Sequence, residues 1–145
     1  MAFKFSLAAV LRVRESIERR EELALKRIQF EIARTRRRID ELNDEITGKH
    51  NERNESMRQP VYSYEVQAIL HEVNAAMDVR QALRVSLQSL ELERERQMKA
   101  YQSAHTNRQM LTDMLVQKQT EYAQEQVRTQ QKSIDEIFAS RSQRN

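Results

Sequence analysis

The chain has 145 residues, of which 39% are hydrophobic, 32% charged and 6% aromatic, with a mean hydropathy of -0.85. That is too polar for a thick three-dimensional core and too regularly patterned for disorder, so a narrow apolar seam between paired helices fits best. Lys and Arg number 25 against 22 Asp and Glu, an intimate mix of signs rather than a basic block, and the lack of cysteine excludes disulfides and thiolate metal sites.

The first apolar stretch, Phe5 to Leu11, is followed at once by Arg12 and Arg14 and has no small-residue cleavage site, so a signal peptide is not expected. Nowhere does an apolar run approach the roughly 18 residues that span a bilayer. Ser6 is a candidate helix N-cap, with Phe5 before it and Val10 after it as a hydrophobic staple. A seven-residue count then sets in. Leu11, Leu25, Ile32, Ile39 and Ile46 share one heptad position, and Leu7, Ile28 and Leu42 share the other. Arg14, Glu18 and Glu21 interrupt this seam, while Val10, Val13, Ile17 and Ala24 offer a neighbouring stripe, which predicts looser or shifted packing there.

The only glycine, Gly48, and the only proline, Pro60, then follow close together. Gly48 can cap the first helix, and Gln59, standing before proline, is disfavoured in helical geometry. Ser63 is the next candidate N-cap, with Glu65 favoured in the first turn by the helix dipole. The second seam places Val66, Val73, Leu87, Tyr101, Leu115 and Tyr122 at one position and Ile69, Ala76, Leu83, Leu90, Ala104 and Leu111 at its partner. Arg80, Arg94, Gln97 and Arg108 interrupt it, and after Tyr122 it fails.

These observations predict an all-α fold: a long two-helix antiparallel coiled-coil hairpin, single over residues 1–145, with the C-terminal helix overhanging. Helix 1 is expected over about 6–57, the connection over about 48–62 and helix 2 over about 63–139. At ~1.5 Å per residue the arms measure about 80 and 115 Å, so the seam fades roughly where the shorter arm runs out.

Catalytic signals are missing. His71-Glu72 begins like a zinc-protease helix, but the second histidine position holds Ala75, and His50, His71 and His105 share no spacing. A chain with one glycine has no phosphate-cradling loop, and a two-helix hairpin offers no deep concave pocket. The expectation is a non-enzyme without cofactor or metal. The cluster Arg34-Thr35-Arg36-Arg37-Arg38 reads either as a solvated face paired with Glu31, Asp40 and Glu41 or as a surface for an anionic partner. It lacks the interleaved aromatics of a nucleic-acid site. Phe3, Phe5, Leu7, Val10 and Leu11 either close the open end of the hairpin against Met110, Met114 and Leu115 or enter a partner. Ile134, Ile137 and Phe138 lie beyond the paired region, where exposed apolar side chains signal docking.

Both ends also carry a resemblance. The opening Phe3-x-Phe5-x-Leu7-x-x-Val10-Leu11-x-x-Arg14 and the closing Lys132-x-Ile134-Asp135-Glu136, followed by Arg141, resemble the FliJ family of the bacterial flagellar type III export apparatus. Phe138 stands where that family has a small residue. The resemblance implies a non-catalytic, stalk-like component that links the export ATPase ring to the export gate and handles export chaperones. It further implies a cytoplasmic location, peripheral to the inner face of the cell membrane at the flagellar base. By position, it carries ATPase-facing roles to Phe3, Phe5, Leu7, Val10, Leu11, Ile134, Asp135 and Glu136, next to Ile137 and Phe138. Export-gate-facing roles fall on Thr35, Ile39, Leu42, Ile46, Val66, Leu70, Val73 and Met77, most of which the seam also needs.

The expected partners are thus the export ATPase, the cytoplasmic domain of the export-gate membrane protein and export chaperones. Nucleic acid is not among them, and the free chain is expected to be a monomer. One rival reading is a general coiled-coil adaptor or secretion chaperone that dimerises through its C-terminal helix. Another is an electrostatic binder of nucleic acid or a membrane surface.

Overall fold

A computed structural model describes residues 2–58, 60 and 62–144, and the expected helix break at Gln59 lies outside the described residues. Two helices, α1 (Ala8–Ser56) and α2 (Ser63–Arg144), account for nearly all of them and pack against each other as an all-α helical hairpin. The opening turn of α1 is held by backbone bonds, Ala8 N–H to Phe5 C=O at 3.1 Å and Leu11 N–H to Leu7 C=O at 2.8 Å.

Gly48 does not end α1. It sits exposed inside the helix without a positive φ, and a Cβ added there would meet nothing within 4 Å. A lone glycine costs a helix interior about 1 kcal/mol. The contacts beyond it outweigh that, because Lys49, Arg53 and Ser56 continue the seam half-buried and Lys49 Nζ reaches Glu72 Oε2 at 2.7 Å. Glu72, with Glu52 adding, holds the Lys49 ammonium above its usual range. The connection therefore begins after Ser56 rather than at Gly48. Bonds from Met57 N–H to Arg53 C=O (3.0 Å) and Arg58 N–H to Glu55 C=O (3.1 Å) tighten the end of α1, and Glu65 N–H to Tyr62 C=O (3.0 Å) opens α2.

Contacts divide the chain into two units, Glu21–Tyr101 and Met1–Arg20 with Gln102–Asn145. In Glu21–Tyr101 the helices run antiparallel, tied by Lys49–Glu72, Arg80 Nη1 donating to Asn43 Oδ1 (2.9 Å), Arg36–Glu91 (3.0 Å) and Gln97 donating to Glu21. Its core is the predicted stripe: Leu25, Ile32, Ile39, Leu42, Ile46 and Val73 are buried, Leu42 to 2% exposure. In the other unit Leu11 and Ala104 are buried, and Glu18 on α1 meets His105 and Arg108 on α2.

Where polar residues interrupt the seam, the heptad positions stay in contact and part of the neighbouring stripe joins them. Arg14, Glu18 and Glu21 are half-buried, and so are Ile17 and Ala24 of that stripe, whereas Val10 and Val13 are exposed. The reason is on α2, whose own seam positions Gln97 and Arg108 supply donors to those carboxylates. Once the polar groups are satisfied, keeping one register costs less than breaking the seven-residue count on either side.

Candidate docking surfaces

The first surface is the open-end cluster, within the unit of the two termini. Phe3 and Tyr122 pack with ring centroids 5.5 Å apart at 57°, a tilted aromatic contact worth about 0.5–1.5 kcal/mol beyond burial. Phe3, Phe5 and Leu7 are half-buried and line a hollow of about 340 Å³ with Met114, Lys118 and Tyr122. The chain before α1 thus folds onto α2, while Val10 and Met110 remain exposed. Met114 and Tyr122 join this hollow, and Met110 does not line it.

The second surface lies on the C-terminal part of α2. Every described residue from Ala123 to Arg144 is exposed. The apolar ones are not scattered. Val116, Val127 and Phe138 stand eleven residues apart, with Ile134 between the last two, and Phe138 is 75% exposed. Eleven residues make three turns of an undistorted α-helix, so these side chains form one straight stripe. Five residues separate Tyr122 from Val127, which turns the stripe about 140° round the helix from the seam. Ile137 and Asp135 flank the stripe on either side, Glu136 lies on the opposite side of the helix, and Gln131 donates to Asp135 Oδ1 at 3.1 Å. The eleven-residue repeat unites Val116, Val127 and Phe138, and Ile134, seven residues after Val127, falls on the same face.

The same unit carries a polar layer. The Glu18 carboxylate accepts from Arg108 Nε and lies 3.3 Å from His105 Nδ1, with its side chain 17% exposed. Arg108 also reaches Thr112 Oγ1 at 3.3 Å. The Arg108 guanidinium holds the Glu18 carboxyl below the usual carboxylate range, against burial that pushes it up, and His105 adds to the lowering. Such a layer fixes register.

The residues proposed to face an export gate divide sharply. Ile39, Leu42, Ile46 and Val73 are buried in the seam, and Thr35 and Val66 are half-buried. Only Leu70 and Met77, at 37% and 41% exposure and seven residues apart, are open to a partner. Of the arginine cluster, Arg34 approaches Glu31 (3.9 Å), Arg36 pairs with Glu91 and Arg38 with Glu41 (3.3 Å). The solvated-face reading thus describes most of it.

A family model of the flagellar FliJ protein matches residues 3–145. The chain belongs to the FliJ family. Searches of curated proteins and of solved structures gave no significant match. Membership makes the chain a component of the flagellar export apparatus. The match takes in both terminal motifs, so the open-end cluster and the C-terminal stripe both lie inside the FliJ-type region. Among the described residues, no helix is long and apolar enough to cross a membrane.

Proposed function

We propose that this FliJ-family chain is a non-catalytic, stalk-like part of the export apparatus whose terminal unit enters the ring of the export ATPase. The observation that carries the reading is the placement of apolar surface on two sides of one helix. On α2, Met114 and Tyr122 line the aromatic hollow, while Val116, Val127, Ile134 and Phe138 face elsewhere, unpartnered. A flat partner covers one of these faces; a partner that surrounds the helix covers both. Leaving such a stripe in water forgoes roughly 25 cal/mol per Å² of apolar surface, so a partner that buries it gains affinity.

In the same reading, the exposed pair Leu70 and Met77 contacts the cytoplasmic domain of the export-gate protein, and export chaperones are handled along the remaining helical surface. The location is then cytoplasmic, peripheral to the inner face of the membrane. Mixing the purified chain with its cognate export ATPase tests the reading. A stable complex with altered ATP turnover is expected; no complex and unchanged turnover would overturn it.

A further inference from the structure

The seam fixes which residues of α1 face outward, and along that outward line the charges are sorted. Phe30, Arg34, Arg37, Glu41, Asp44 and Gly48 follow one another at spacings of four and three, all of them exposed. This is the rhythm of a second heptad seam on the side of α1 opposite the first. Its first half is basic and apolar, and its second half acidic. The near-even overall charge conceals this, because the opposite signs lie one after the other along a single face rather than interleaved.

We infer that this face pairs with the same face of a second copy of the chain, antiparallel, about a two-fold axis near Ile39. The spacings decide the register. With the axis there, Arg37 of each copy meets Glu41 of the other, Arg34 meets Asp44, and Phe30 meets Gly48. Every layer is complementary, and the arrangement closes on itself as a two-fold interface must. Moving the axis half a heptad toward the N-terminus sets Arg34 against Arg37, and moving it half a heptad the other way sets Glu41 against Asp44.

Three further observations favour this occupant. Arg37 and Asp44 make no ion pair among the described residues, so each has charge to spend. Phe30, 66% exposed, has no ring partner among the described residues, and together with Leu23, Lys26 and Arg27 it borders a shallow hollow of about 480 Å³. Gly48 has no side chain, and a Cβ placed there would meet nothing within 4 Å, which leaves room for an aromatic ring. The association is weak and salt-sensitive, since its ion pairs are solvent-exposed. It revises the expectation of a strict monomer.

Sedimentation velocity on the full chain, in low and in moderate salt, reads the equilibrium directly. At rising concentration in low salt, the weight-average mass is expected to climb from 17.3 kDa toward twice that value and to fall back when salt is added. Two charge-reversed proteins sharpen the test, Arg34→Glu with Arg37→Glu and Glu41→Arg with Asp44→Arg. Each alone places like charges in four layers and is expected to weaken pairing about tenfold or more. Mixed, they are complementary in all four layers and are expected to form a heterodimer. Circular dichroism confirms that each remains helical. Phe138→Asp is expected to leave the dimer intact, which separates this surface from pairing through the C-terminal helix. A chain that stays monomeric in low salt, a dimer indifferent to the reversals, or a mixture that fails to associate would each overturn the inference.

Discussion

Glu18 and Arg108 form a charged pair inside a seam whose fully buried residues are all apolar, and the energy of that pair can be measured. Replacing Glu18 by Ala leaves the Arg108 guanidinium, 24% exposed, without its main acceptor. Hydrogen bonds to charged groups contribute about 1.5–3 kcal/mol. Fully exposed ion pairs contribute only about 0.2–1 kcal/mol. The site lies between these limits, so Glu18→Ala is expected to cost about 1–2 kcal/mol. Arg108→Ala should cost a similar amount. The double variant should cost less than the two together, with a coupling of about 1 kcal/mol. Urea unfolding followed by circular dichroism gives all four stabilities. Replacing both residues by Leu makes this layer of the seam apolar and should be neutral or stabilising. Additive costs, or single costs below about 0.3 kcal/mol, would refute the claim that this layer is a coupled, shielded pair.

Other expectations follow from the same structure. Because Arg108 holds the Glu18 carboxyl below its usual value near 4.5, the pair stabilises the fold above that value, and the contribution is lost as pH falls through the lower folded-state value. The stability gap between the natural chain and Glu18→Gln should therefore close on acidification, as urea midpoints at several pH values would show. Gly48→Ala should stabilise the helix by about 1 kcal/mol, since the position is mid-helix and open; a loss of stability would restore the helix-cap reading. Leu42→Ala should cost about 2–3 kcal/mol, the low end for buried leucine, because a two-helix seam can close over the gap. Phe138→Asp should leave the melting temperature within about 1 °C, yet weaken binding to the export ATPase, as calorimetry and pull-down would report.

Much of this was legible in the sequence because a coiled coil writes its fold in one dimension. The seven-residue positions of Leu11, Leu25, Ile32, Ile39, Leu42 and Ile46 are buried in the structure, as are Val73 and Ala104 on α2, while Leu7, Ile28 and most of the other α2 positions are half-buried. What misled was local chemistry. Gly48 looks like a stop signal, and Glu18 and Glu21 look like seam breaks, because Glu72, which pairs with the following Lys49, and the partners Arg108 and Gln97 lie far along the chain. Only the register, known once the helices are laid together, shows that Lys49 and those carboxylates are satisfied. The docking surfaces were legible in part. Phe3, Phe5, Ile134 and Phe138 declare themselves as apolar residues at the ends. Their surroundings do not, since Met114 and Lys118 join Phe3 through packing and Val116 joins Phe138 through an eleven-residue repeat. The sorted charges on the outside of α1 were hidden for the same reason: which side is outside depends on where the seam lies.

The most direct test of the account is hydrogen–deuterium exchange of the chain, alone and bound to its cognate export ATPase. If the terminal unit enters the ring, amides in residues 3–11 and 116–138 gain protection together on binding, while those around Leu70 and Met77 are unchanged. Protection confined to residues 66–77, or none on the C-terminal stripe of α2, would contradict it.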